Sequence, residues 1–416
     1  MSETLIKRAS KWVGNIPIGW RLTPLKYVCT YNDETLSDNT DPTFEFDYID
    51  ISSVNSTDEI TSTERLNFAD APSRARRVVR ADDIIMSTVR TYLRAVAIIP
   101  ESKNQLIAST GFLVIRALQE AITPEYLGYV IKSDSFISAI EAESIGVSYP
   151  AINASEAVKN YIPVPPLDVQ RSIVAFLDSR CKPLNEAIAR HRMIIDKLED
   201  YRKAVISHTV AGDSNGLDNT RWTWKRFKFI AHVDSNLVEP DNYQHWLHIS
   251  PESISKGNGR LLRTSTVYED GVTSCNHLFH KGAILYSKVR PRLNKVIIAP
   301  DDGLCSADMY PISTSQFPEW LKYYMLSDQF VEQAGLVSDI RIKMPKINQQ
   351  ELGNLKVFVP PRQDQLEIIS QLDYKCAAID EGVDRQEQVI ARLEEYRRSL
   401  IFHAVTGRID CMGGAR

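Results

Sequence analysis

The stretch LEDYRKAVISHTVAG, Leu198 to Gly212, returns as LEEYRRSLIFHAVTG, Leu393 to Gly407, with eight of fifteen positions identical and a constant offset of 195 residues. A repeat this long dominates the reading, because each copy must build the same structural unit. It extends outward from both copies. PPLDVQRSIVAFLD from Pro165 pairs with PPRQDQLEIISQLD from Pro360, and YPAIN from Tyr149 pairs with MPKIN from Met344, again at 195. Further upstream the offset drifts, as it does when loops differ in length. PEYLGYVIKSDSF from Pro124 answers PEWLKYYMLSDQF from Pro318, and DIIMSTVRTYLRAVAIIP from Asp83 answers AILYSKVRPRLNKVIIAP from Ala283. DYIDIS from Asp47 answers HWLHIS from His245, and Trp20 pairs with Trp222. Each half is a variable globular portion followed by a better-matched helical portion.

The globular portions read as mixed α/β (α+β). AVAIIP and KVIIAP are short, branched apolar runs stopped by proline, the pattern of strands. EYLGYVIKS and EWLKYYMLS space their apolar residues as helices do, with Pro124 and Pro318 in a first turn that accepts them. The expectation for each half is a twisted, mixed or mostly antiparallel sheet with helices packed on it. In the helical portions Leu184, Ile188, Ile195, Leu198 and Val205 fall on one stripe, repeated by Ile379, Val383, Ile390, Leu393 and Leu400. Spacings of four, seven, three and seven make a near-heptad seam that wants a partner helix. Each helix could pack on its own globular portion. The duplication favours the two seams meeting as an antiparallel coiled coil with pseudo-two-fold symmetry. Gly212 and Gly407 mark the C-terminal stops. Pro183 stands where the second copy has Ala378, and predicts a junction between a short helix (about Asp168 to Arg180) and a long one. The long helix, at about 27 residues, would span roughly 40 Å.

Composition bounds the function. The 416 residues suffice for two or more domains, and 43% hydrophobic with 25% charged content is that of a globular chain. A net charge of −4 excludes a uniformly basic nucleic-acid binder but leaves room for a local basic face. Six cysteines without a CxxC pair argue against a zinc ribbon or a disulfide framework and fit a reducing cytosol. MSETLIKRASKW lacks the apolar core of a signal peptide, and no run approaches the roughly 18 apolar residues of a membrane helix. A soluble, cytoplasmic protein is expected.

No catalytic or metal site is assigned. GxGxxG, GxxxxGK[ST], GxSxG and HExxH are all absent, and the prolines of VPPL and VPPR do not form an amino-methyltransferase turn. Asp83 followed by Glu101 and Lys103 mimics a nuclease metal site, but Asp301-Asp302-Gly303 in the second half does not repeat it. Cys275, His277 and His280 lack a fourth ligand, and His208 and His403 sit where helix ends want a hydrogen-bonding side chain. Charge stands out instead. Arg74, Arg76, Arg77, Arg80, Arg90 and Arg94 crowd one stretch, answered in part by Lys281, Lys288, Arg290, Arg292 and Lys295. Arginine suits bidentate contacts with phosphate and guanine edges. Arg90 and Arg290 match across halves, as do Ser87 and Ser287 beside them, and Tyr149, Arg341 and Lys343 flank the prolines of the shared loops. These residues, Arg80 and Lys281 excepted, are the DNA-binding candidates. A nuclease and a protein-binding coiled-coil scaffold are the alternatives.

Two variable halves, each closed by PP…Q…I…L and then LE.YR..LI.HAV.G, resemble the specificity subunit of type I restriction–modification enzymes. The likeness runs through Pro165, Pro166, Gln170, Leu198, Glu199, Tyr201, Arg202 and Gly212 and their partners 195 residues on. It implies target recognition domains at residues 1–164 and 213–359, a central conserved helical region at 165–212, a C-terminal one at 360–410 and a tail at 411–416. It further implies a non-catalytic subunit that reads a bipartite, asymmetric site in double-stranded DNA. Two modification subunits with S-adenosylmethionine and restriction subunits with ATP and Mg would dock on it, leaving this subunit without a cofactor. The helices would act as a ruler, holding two readers about 12 base pairs apart.

Overall fold

The computed structural model describes residues 12–54, 60–146, 149–213, 217–341 and 343–412. Most of the N-terminal stretch read for a signal peptide, and residues 413–416 of the expected tail, lie outside them. The chain divides into two compact units, residues 1–189 with 390–416, and residues 190–389. Each unit therefore holds one globular portion, one end of the central helix Leu167–Val210 and the opposite end of the C-terminal helix Arg362–Val405.

In the first unit, Cys29–Tyr31, Phe112–Ala117, Ile84–Ser87 and Val96–Ile98 form an antiparallel sheet in that order. Its strands are apolar on both faces because both faces are covered. Ile84, Met86, Val96, Leu113 and Ile115 face the helices Pro124–Lys132 and Asp134–Glu143, while Ile85, Ala97, Phe112 and Val114 face a second sheet. Period-2 alternation thus serves two cores at once. The second sheet runs Glu64–Asn67, Glu45–Ile49, Leu106–Ser109, Ala75–Val79, with one parallel pair, Glu45–Ile49 beside Leu106–Ser109. A third pairing, Arg21–Pro24 with Tyr161–Val164, leads the chain into the central helix.

The second unit repeats this plan. Ala231–Val233, Met309–Thr314, Ile284–Ser287 and Val296–Ile298 form the first sheet, and Thr223–Arg226 pairs with Lys356–Val359. Its other sheet has five strands, with Leu247–Ile249 parallel to Gly303–Cys305. The single sheet expected per half is therefore three, because the apolar strands bury both faces.

The two long helices correct the sequence reading at Pro183. Each is 44 residues and continuous, with Pro183 inside the central one, so each runs about 66 Å rather than 40 Å. Proline costs a helix one hydrogen bond, and the flanking turns carry the helix through it. In the first unit, Ile173, Leu177 and Cys181 of the central helix and Ile401, Ala404 and Val405 of the C-terminal helix enter one core. In the second, Ile206 and Val210 join Ile368, Leu372 and Cys376. Each globular portion is held by the start of the helix that follows it and by the end of the other.

The repeated signature residues make these junctions. The Gln170 amide accepts from the Thr123 N–H (2.8 Å) and donates to the carbonyls of Pro165 (2.8 Å) and Ala121 (3.1 Å). Gln365 likewise accepts from the Phe317 N–H and donates to the Pro360 carbonyl. At the far ends, the Asp213 N–H donates to the His208 carbonyl and the Arg408 N–H to the His403 carbonyl, closing a Schellman turn through Gly212 and Gly407 at positive φ. A Cβ on Gly407 would lie 2.3 Å from the Pro17 ring and 3.0 Å from Trp20, and one on Gly212 would meet Asn219 and Trp222.

Within the second unit the helices pair antiparallel. His191 bonds Gln386, Leu198 lies against Gly382, and Arg202 reaches Asp380. In the first unit the matching arginine, Arg397, donates to Asn185 (2.7 Å). Of the ten seam residues, Ile188, Ile379 and Val383 are buried and the others half-buried. Among the described residues no helix is long and apolar enough to cross a membrane.

Candidate nucleic-acid interface

The strand Ile84–Ser87 ends in a turn built twice. Buried Ser87 donates to the Val89 carbonyl (2.6 Å), and Ser287 to that of Val289 (3.1 Å). The Arg90 N–H donates to the Pro150 carbonyl (2.7 Å) and the Arg290 N–H to the Pro345 carbonyl (2.8 Å). A loop after the second small helix of each unit thereby grips the turn, reinforced by bridges from Val89 to Ala151 and from Val289 to Lys346. Held this way, Arg90 (φ 49°) and Arg290 (φ 50°) adopt left-handed backbone, each capping a 3-10 turn that closes on a second left-handed residue, Arg94 or Asn294. Among the described residues only six non-glycines have positive φ, and these are four of them. Such geometry costs about 1–2 kcal/mol per residue and persists where surrounding structure imposes it, as at binding sites.

The guanidiniums of Arg90 and Arg290 are exposed. Arg90 lies over the Tyr149 ring, 4.5 Å from its centre, which holds it without neutralising it. Several other candidates are committed to acids. Arg74 pairs with Asp50 (3.3 Å), Arg76 with Asp38 (3.7 Å), Arg94 with Asp134, Arg292 with Asp339 (2.6 Å) and Arg341 with Glu351 (2.7 Å). The hydrogen bonds to Asp339 and Glu351 raise Arg292 and Arg341 above the ordinary arginine range. Arg77 is half-buried, held below the usual range by burial, and donates to Thr35. Lys288 lies over Tyr310 (5.2 Å), Lys295 donates to the Pro251 carbonyl, and Lys343 is exposed in the gripping loop. The turn thus brings together Arg90 with Tyr149, and the loop that grips Arg290 carries Arg341 and Lys343; Arg74 bonds Thr110, beside the Gly111 that holds the first turn, while Arg76 and Arg77 lie on the second sheet. Sequence reasoning missed Asn294, buried at the left-handed position matching Arg94, and the exposed Tyr92 and Leu93 on the first turn. Asparagine favours left-handed backbone and so leaves a faint mark at Asn294, whereas arginine leaves none.

The nuclease reading does not survive. Asp83 is 1% exposed and bound by Arg116 through two bonds of 2.7 and 2.8 Å, with the Arg80 N–H as a third donor. Glu101 and Lys103 line an open cavity without it. Cys275 donates to Glu239, while burial, then the Lys288 charge, hold His277 below its usual range; His280 lies near Asp302. Among the described residues no three His, Cys, Asp or Glu side chains are placed to hold a metal ion.

Two α/β units each present an exposed arginine on a turn held by a neighbouring loop, and each holds parts of two long helices. Residues 17–193 match the family model described as the type I restriction modification DNA specificity domain. The chain is 29% identical over 316 residues to the EcoDI specificity subunit of Escherichia coli, covering 69% of this chain and 70% of that one. It is 21% identical over 304 residues to the EcoBI specificity subunit of the same organism, covering 66% and 64%. A chain from a structure titled for complex assembly and conformational transition of the type I R-M system shares the fold, with TM-score 0.64, 24% identity, 95% of this chain and 100% of that one covered. The chain thus carries a type I restriction modification DNA specificity domain over residues 17–193 and is similar to a type I specificity subunit over 69% of its length, which supports a role in DNA sequence recognition.

Proposed function

We propose that this chain reads a bipartite, asymmetric DNA sequence, one block per globular portion. On this reading it positions an adenine-N6 methyltransferase and the restriction subunits that act with it. The observation that carries this reading is the pair of matched arginine turns. Arg90 and Arg290 occupy the same left-handed position, exposed, in two modules whose surrounding loops differ. Equivalent anchors with different neighbours suit a protein reading two unlike blocks. Double-stranded DNA is the ligand, and two modification subunits are the partners. Exposed Tyr201 and Tyr396, at one position of the repeated signature, offer those subunits matched footholds on the helices. S-adenosylmethionine, ATP and Mg belong to the partners, and this subunit works without a cofactor of its own. The work takes place in the cytoplasm.

The test is a base-resolution map of N6-methyladenine in the host genome with and without this gene. Loss of one gapped, asymmetric motif on deletion is expected. A map unchanged by deletion would refute the reading. A protein-binding scaffold would show no salt-dependent DNA affinity, whereas phosphate contacts make binding fall steeply with salt.

A further inference from the structure

Beside each arginine turn stands an exposed isoleucine. Ile145 is 83% and Ile340 is 80% exposed, and they are 195 residues apart, in register with the repeat. Single exposed hydrophobics are ordinary on any surface. These two occupy one position in loops that otherwise diverge, IGVSYP and IRIKMP. The Ile145 backbone is tied down, and Ile340 stands beside a residue whose side chain ties the loop. Ile145 and Ala151 exchange both N–H···O bonds (2.8 and 3.0 Å), and Ala151 bridges to Val89, the residue before Arg90. Ile340 precedes Arg341, whose guanidinium donates to the Lys346 carbonyl (2.7 Å), and Lys346 bridges to Val289, the residue before Arg290. Each isoleucine is therefore an exposed apolar side chain on the loop that grips the backbone of Arg90 or Arg290.

The chemistry that fits both neighbours is a base pair edge in the major groove. Arginine there meets guanine acceptors, and the apolar feature of the same groove is the thymine C5-methyl. Resting on the DNA-reading function above, we propose that Ile145 and Ile340 are specificity residues, each covering a thymine methyl in its own block. Burying one methyl against isoleucine changes binding about fourfold.

Once the methylation map supplies the site, the full chain assembled with its modification subunits is titrated with duplexes in which single thymidines are replaced by deoxyuridine. One replacement in each block is expected to weaken wild-type binding about fourfold. Ile340→Ala should erase that difference in one block only, Ile145→Ala in the other, and Ile340→Val should largely restore it. Equal uracil sensitivity in wild type and alanine variants, or none in either, overturns the proposal while leaving the function above intact. If the wild-type assembly shows no preference for the mapped site, the function itself falls.

Discussion

Arg290 and Arg90 hold left-handed backbone at matched turns, and each serves one module. Arg290→Ala should therefore weaken binding to duplexes carrying one intact block by about ten- to hundredfold, about 1–3 kcal/mol, and leave the other block's contribution unchanged. Competition between duplexes with one block scrambled measures this, and equal loss at both blocks would sink the modular reading. Gly407 tests the junction rather than the interface. Its positive φ and the 2.3 Å approach of the Pro17 ring leave no room for a Cβ. Gly407→Ala is expected to cost at least about 1–2 kcal/mol, seen as a melting temperature lowered by several degrees. At this scale much was legible. Matching by repeat singled out Arg90, Arg290, Gln170 and Gly212 without any structure. What was hidden was pairing: Arg74, Arg76, Arg292 and Arg341 look as available as Arg290 until their acids, distant in sequence, fold against them.

The long helices carry the signature, and its arginine crosses from one helix to the other. Arg202 is 2% exposed between Glu199 and Asp380, while Arg397 meets the neutral Asn185. Removing Arg202 takes the main cation from two partly exposed carboxylates, leaving Asp380 with Arg260 (3.6 Å) and Glu199 with Asn258 (3.4 Å), so Arg202→Ala should cost about 2 kcal/mol, below the roughly 3–5 of a fully buried pair. Arg397→Ala gives up a hydrogen bond to a neutral amide, at about 1 kcal/mol. Chemical denaturation of the two variants measures the order, and a reversed order would mean the crossing pair is not what holds the second unit. The proposed ruler role of the helices is tested at this scale too. Inserting four residues, one turn, at matched places in both helices adds about 6 Å, or close to two base pairs. The methylated motif should keep both blocks and gain spacer. The stripe of seam residues was readable because burial imposes helical period on apolar side chains. The continuity through Pro183 was not, since burial of Leu177 and Cys181 before it and Ile188 after it outweighs a local propensity for a break.

At the scale of the molecule, duplication of sequence became duplication of architecture, with the same turn and helix ends in each unit and matching sheets, one of them a strand wider in the second unit. DNA affinity of the assembled protein should fall steeply between low and physiological salt if the proposed arginine anchors meet phosphates and bases. Electrophoretic titration at two salt concentrations checks this. The sequence alone determined the two-module plan, the helical spacers and the absence of familiar catalytic motifs, because repeats, periodicity and motif spacing are properties of a linear order. Tertiary structure alone decided three things. It assigned Asp83 to Arg116 instead of to a metal, it divided each helix between two cores, and it paired Arg74, Arg76, Arg292 and Arg341 with acids. Each depends on groups far apart in the chain meeting in space, where burial and charge pairing, not local pattern, set the outcome.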